Sequence, residues 1–225
     1  MRKDILVMMM ALVLALALTT PCFAAPVKTK TINVTATVPT LNDGLSVALY
    51  KITPSAVDCT GANDTWPAAP NATSIAFGTL VRSGTYNIWM GSVYYAMDVA
   101  VLDNSGTAWT VTHTRTAITN GAGLHLNNNV NAVFYKLVYD PTTHKMIPVE
   151  PPIYKIRYAD SNGKTVTKTQ AAGMSFRIYY GIATGIGPSD PNPHGCTTDA
   201  AANMAIPLTQ TAGAYQGQVT LTLTP

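Results

Sequence analysis

An all-β fold, a sandwich with Greek-key connections, is the class that this sequence predicts, and three observations carry the expectation. Hydrophobic periodicity along the chain is mostly two, with almost no sustained helical repeat. Charged residues make up only 11% of the 225 residues, less than half the roughly 25% of an ordinary domain. Glu150 is the only glutamate, and helical surfaces depend on Glu, Lys and Arg. Finally, about eleven apolar runs follow one another at short intervals, broken by Gly, Pro, Asn and Asp with no intervening helix, the spacing expected of a sandwich.

The first 24 residues read as a secretory signal: a charged start at Met1–Asp4, an unbroken apolar run from Ile5 to Leu18, and small residues Cys22 and Ala24 before a cut at Ala25. The run is shorter than the roughly 20 residues a membrane span needs. Acylation at Cys22 or an uncleaved anchor is the alternative. The remaining residues, 25–225, are expected to form a single domain with no membrane span of its own.

Ile32–Val38 alternates cleanly and stops at Pro39, and Leu45–Ile52 follows the turn signal Asn42–Gly44; both read as strands. Cys59–Ala72 is a loop by composition. Ser74–Val81 is a strand with Gly78 as a bulge candidate. Tyr86–Met90 and Val93–Leu102 come next, and the turn Asp103–Gly106 joins the latter to Ala108–Thr114 as an expected hairpin. Strands are expected at Ala132–Tyr139, Met174–Tyr180, Ala202–Leu208 and Tyr215–Thr224. The proline-rich stretch 140–152 has no strong pattern. After it, Ile153–Tyr158 and Lys164–Thr169 flank Asp160–Gly163 as a second hairpin, whose lysines and arginine suit an arm or a protected sheet edge.

Removing the signal leaves two cysteines, Cys59 and Cys196. An even pair in an exported chain reads as a disulfide, which over this separation is worth roughly 5 kcal/mol on the chain-entropy model; two free thiols are the alternative.

Little in the sequence points to catalysis. Asp43, Asp103 and Asp160 sit in turns before glycine, and Asp140 and Asp190 precede proline, positions that aspartate takes because its side chain bonds nearby backbone. Asp98, inside the apolar run Tyr94–Leu102, is the exception, and alternation sets it on a solvated outer face beside Ala96 and Ala100. His113, His125, His144 and His194 show no metal-ligand spacing. No nucleophile elbow or phosphate loop is present, so no catalytic residue, cofactor or metal is assigned. A net charge of +3, with its basic residues scattered, argues against a nucleic-acid partner. Asn33, Asn63 and Asn71 begin Asn-x-Thr sites. The aromatics mostly suit a core, with Trp66, in its loop, the ring best placed as an exposed platform for a glycan.

The segments Val34-Thr-Ala-Thr-Val-Pro39, Ile75-Ala-Phe-Gly-Thr-Leu80, Trp109-Thr-Val-Thr112, Tyr135-Lys-Leu-Val-Tyr-Asp140 and Gly213–Leu223 resemble, in order, the spore coat U family of secreted pilin-like domains. The resemblance implies an immunoglobulin-like sandwich used as a building block of surface fibres, in which subunits lend one another a strand. The chain departs from the family's pattern in having Thr40 and Leu41 where a cysteine usually follows the first Val-Pro, in ending Thr224–Pro225, and in residues 140–172, which look like an insertion into that pattern carrying the second hairpin. Strand lending needs an alternating arm that pairs along another subunit's open edge. Ile32, Val34, Ala36 and Val38 are the pocket-filling candidates of such an arm. The resemblance itself sets this segment within the domain, as its own first strand.

The expectation is therefore a secreted, non-enzymatic structural protein, periplasmic or on a bacterial cell surface, that associates with itself or related subunits. The alternative is a carbohydrate-binding or adhesin module.

Overall fold

The computed structural model describes residues 31–37, 44–53, 66–82, 87–102, 108–171, 175–183 and 204–224. Thirteen strands run through these residues: β1 (Thr31–Thr37), β2 (Leu45–Ile52), β3 (Ile75–Thr79), β4 (Val81–Arg82), β5 (Ile88–Met90), β6 (Tyr94–Val101), β7 (Thr110–Arg115), β8 (Val130–Asp140), β9 (Lys145–Arg157), β10 (Lys164–Thr167), β11 (Ser175–Ile182), β12 (Ile206–Pro207) and β13 (Tyr215–Thr224). They form two five-stranded sheets, ordered β10-β7-β13-β1-β3 and β2-β6-β11-β8-β9, with a small third sheet β12-β5-β4. The expected all-β sandwich is the observed architecture.

One core joins the sheets. Phe77, Trp109, Val111, Val219 and Leu221 of the first pack with Leu49, Val99, Phe134, Phe176 and Ile178 of the second. Strand alternation supplies both halves, since every second side chain points inward. Hydroxyl bonds add cross-links. Tyr95 donates to the Ala76 carbonyl at 2.7 Å, Tyr154 to that of Thr165 at 2.8 Å, and Tyr158 is shared between the carbonyls of Thr116 and Gln218.

His113 is the polar centre of this core, 1% exposed. Its Nδ1 lies 3.0 Å from the Ser161 carbonyl, which only accepts, so Nδ1 carries the proton. Nε2, 2.9 Å from the Tyr180 hydroxyl, then accepts from it. One neutral ring thus ties β7 to β11 and to the turn before β10.

Both expected hairpins are corrected. β6 pairs with β2 and β11, whereas β7 pairs with β13 and β10, so the chain crosses between sheets from one to the other. The two runs bury faces of one core from opposite sides, and turn chemistry cannot distinguish a return within a sheet from a crossing between sheets. Likewise β9 pairs with β8 and β10 with β7. The two lie at the edges of different sheets, so the edge reading of this charged region holds and the arm does not.

The patternless stretch 140–152 is largely strand. β8 and β9 form a hairpin around Asp140, whose carboxylate accepts from the Thr142 N–H and the Thr143 hydroxyl. Prolines are compatible with β9 because it is an edge strand. Its register with β8 jumps from Phe134↔Tyr154 to Lys136↔Val149, across Pro151 and Pro152, which have no N–H for the ladder. A bulge also lies where expected: β1 shifts register between Ile32↔Gly78 and Asn33↔Ala76, and Gly78 has a φ of 66°.

Gly217 permits a close approach rather than a turn. Residues 116–119 continue the pairing of β7 along β13, and a Cβ at Gly217 would lie 3.2 Å from both the Ala117 oxygen and the Ile118 Cα. These are backbone neighbours and cannot swing aside. Gly217→Ala is expected to cost about 1–3 kcal/mol, measured as a lower urea midpoint.

Candidate functional site

The outer face of the β2-β6-β11-β8-β9 sheet is not a solvated face. Register aligns Ala48, Asp98, Arg177 and Tyr135 in one row across β2, β6, β11 and β8, and Tyr50, Ala96, Tyr179 and Val133 in the next. Ile52, Tyr94, Ala96, Val133, Tyr135 and Tyr179 are all buried there as a second apolar cluster, with Tyr50 partly buried against it. Asp98 does share a face with Ala96 and Ala100, as alternation requires. The solvated setting expected for Asp98 is corrected, because other parts of the chain cover this sheet.

Part of the cover is the segment carrying Trp66. The Asn71 side chain accepts from the Lys51 N–H at 2.7 Å, and the N–H groups of Asn71 and Ala72 reach the Leu49 carbonyl. This stitches the segment to the open edge of β2. The amide of one predicted Asn-x-Thr site is thereby engaged with backbone. Trp66 lies 6.0 Å from Tyr50 and 6.3 Å, edge-on, from Tyr179. Its ring covers the Arg177 guanidinium at 4.7 Å, a cation–π contact strengthened by partial desolvation.

Arg177 forms a fork with Asp98. Its Nε donates to one carboxylate oxygen and Nη2 to the other at 2.8 Å, while Nη1 donates to the Tyr179 hydroxyl at 3.2 Å. Burial alone would pull the Arg177 pKa down, but the hydrogen bond and charge of Asp98 more than offset it, and the net shift is upward. Burial, together with the negative charge of Asp98, raises the Tyr50 pKa. At the far side, Tyr135 donates to Glu150 at 3.0 Å. Burial and that carboxylate push its pKa up as well, so both phenols keep their protons at neutral pH.

Above this floor is a cavity of about 720 Å³, bounded by Trp66–Ala68, by the start of β9 at Lys145–Pro148, and by Tyr50, Tyr94, Asp98, Arg177 and Tyr179. It holds aromatic faces, hydroxyls and a charge pair that neutralises itself. Among the described residues no three His, Cys, Asp or Glu side chains converge as a metal site.

Of the residues singled out from the sequence, Trp66 lies at this cavity. Ile32, Val34 and Ala36 lie on β1, whose backbone pairs with Tyr215, Gly217 and Val219 of β13. Val38 lies outside the described residues, as do Cys59 and Cys196 and the whole of the signal segment. Sequence reasoning missed Arg177 as the partner of Asp98, although each is a lone charge inside an apolar strand. Two such charges in one sheet are a signal for each other, because an unpaired charge there is costly.

Fold and cavity together define an all-β sandwich with an aromatic-lined pocket on one sheet. No family model, curated protein or solved structure matches the chain.

Proposed function

We propose that this chain is a secreted, non-enzymatic structural protein of a bacterial cell surface, built as a pilin-like immunoglobulin-type sandwich and able to associate through β-strand addition. The observation that carries this reading is the position of β1. The first described strand occupies the interior of its sheet, parallel to β13 on one side and antiparallel to β3 on the other. Among the described residues its pairing with β13 is parallel and the other strand pairings are antiparallel. If β1 withdrew, two strand edges would face one another across a groove, the template onto which an extended segment adds by backbone hydrogen bonds. The same strand from a second copy meets that requirement.

The described acids support the non-enzymatic part, since each is bonded to a neighbour that it helps to fix. Asp98 holds Arg177, Asp140 closes its own turn, Asp160 pairs with Arg157 at 2.8 Å, and Glu150 accepts from Tyr135.

Deleting residues 25–38 from the exported chain tests the proposal. The shortened protein is expected to lose cooperative unfolding, and a synthetic peptide of residues 25–38 added in trans is expected to restore it. Full-length protein should form polymers visible by electron microscopy. A shortened chain that folds unchanged and takes up no peptide would sink the reading, as would one that no peptide rescues.

A further inference from the structure

We propose that the cavity between Trp66 and the start of β9 binds a neutral saccharide of about disaccharide size. Three properties of the cavity select that class. Its volume of about 720 Å³ lies within the range of sites that enclose a small organic ligand. Trp66 forms part of its wall yet remains 39% exposed, despite contacts to Tyr50, Tyr179 and Arg177. A large ring held in place by three neighbours and still open to solvent is a preformed platform for the apolar C–H face of a pyranose. Beside it, the carboxylate of Asp98, which keeps 20% of its side-chain surface, is an acceptor for sugar hydroxyls, and Lys145 is a donor at the rim.

At the floor of the cavity Trp66, Tyr179, Arg177 and Asp98 disfavour charged ligands, and among the described residues lining it Lys145, at the rim, is the one charge outside that set. An aromatic cage of this kind attracts a cation, but the Arg177 guanidinium already lies over both Trp66 and Tyr179, at 4.7 and 5.6 Å. An anion approaching Arg177 meets Asp98, which holds two of its donor nitrogens. A polyol needs no net charge in its site and uses acceptors and donors alike. The inference is independent of strand addition and fails separately from it.

Cellobiose, maltose, lactose and N,N′-diacetylchitobiose titrated against the full exported chain provide the test, read by tryptophan emission and saturation-transfer NMR. Trp89 and Trp109 are 5% and 2% exposed, so an emission change on binding reports Trp66. At least one disaccharide should give a saturable response, and Trp66→Ala should weaken it about tenfold or more. Ala68→Arg, an exposed lining position, should abolish the response while leaving the unfolding midpoint unchanged. Choline and inorganic phosphate should give none. The proposal is overturned if none of the four sugars binds, if binding survives both substitutions, or if choline or phosphate binds in their place.

Discussion

Asp98→Ala is expected to lower the stability of the fold by about 3 kcal/mol, near the lower end of the cost of breaking a buried ion pair. The cost arises mainly from what remains behind. Arg177 has 8% of its side-chain surface exposed and Asp98 20%, so removing the carboxylate leaves a buried guanidinium beside the Tyr179 hydroxyl and the Trp66 ring without its counter-charge. Arg177→Met removes the charge but strands the carboxylate, and is expected to cost less because Asp98 is the more exposed partner. The double substitution should be more stable than Asp98→Ala alone, since neither charge is then left unpaired. Urea unfolding of the four proteins, treated as a double-mutant cycle, measures the coupling. Strict additivity of the two single effects would show that the pair makes no joint contribution.

Acid titration of His113 is the second large expected effect. Burial, with a smaller push from the nearby Arg115 charge, lowers its pKa from the ordinary 6.5 to about 4, against the opposing bond to Ser161. The unfolded chain therefore binds a proton between pH 6.5 and about 4 that the folded protein does not. Stability contributed by the neutral ring is fully present above pH 6.5 and is lost as pH falls through that window. The loss amounts to about 3 kcal/mol by linkage. Protonation would also put a second N–H at Nε2, where Tyr180 donates. Urea midpoints across this range should fall steeply for the natural protein and less steeply for His113→Gln, the difference isolating the histidine. Parallel slopes in the two proteins would show that His113 does not carry the effect.

Much of the fold is legible in local sequence because strand formation is a short-range matter. Leu45–Ile52 is a strand end to end, and Tyr215–Thr224 likewise; in both, alternation and flanking turn residues act over a few neighbours. Where sequence and structure part, the missing information is non-local. Proline content conceals β9 because prolines exclude a central strand but not an edge strand, and edge position depends on the order of all five strands. The sequence Asp103–Gly106 has the chemistry of a hairpin turn, and nothing within it records which sheet receives the next strand.

The candidate site divides in the same way. Trp66 and Asp98 each stand out locally, one as an aromatic in a polar loop and the other as an acid in an apolar run. Their proximity is not legible, because Arg177, the residue that joins them, is 79 positions from Asp98. A low-charge, strand-forming chain with turn-bound acids follows from composition and period-two patterning, which need only neighbouring residues. The interior position of β1, the crossings between sheets and the burial of an outer face beneath Trp66 follow from strand pairings between distant segments. No local preference specifies such pairings; they are selected by the apolar area and backbone hydrogen bonds of the assembled sandwich.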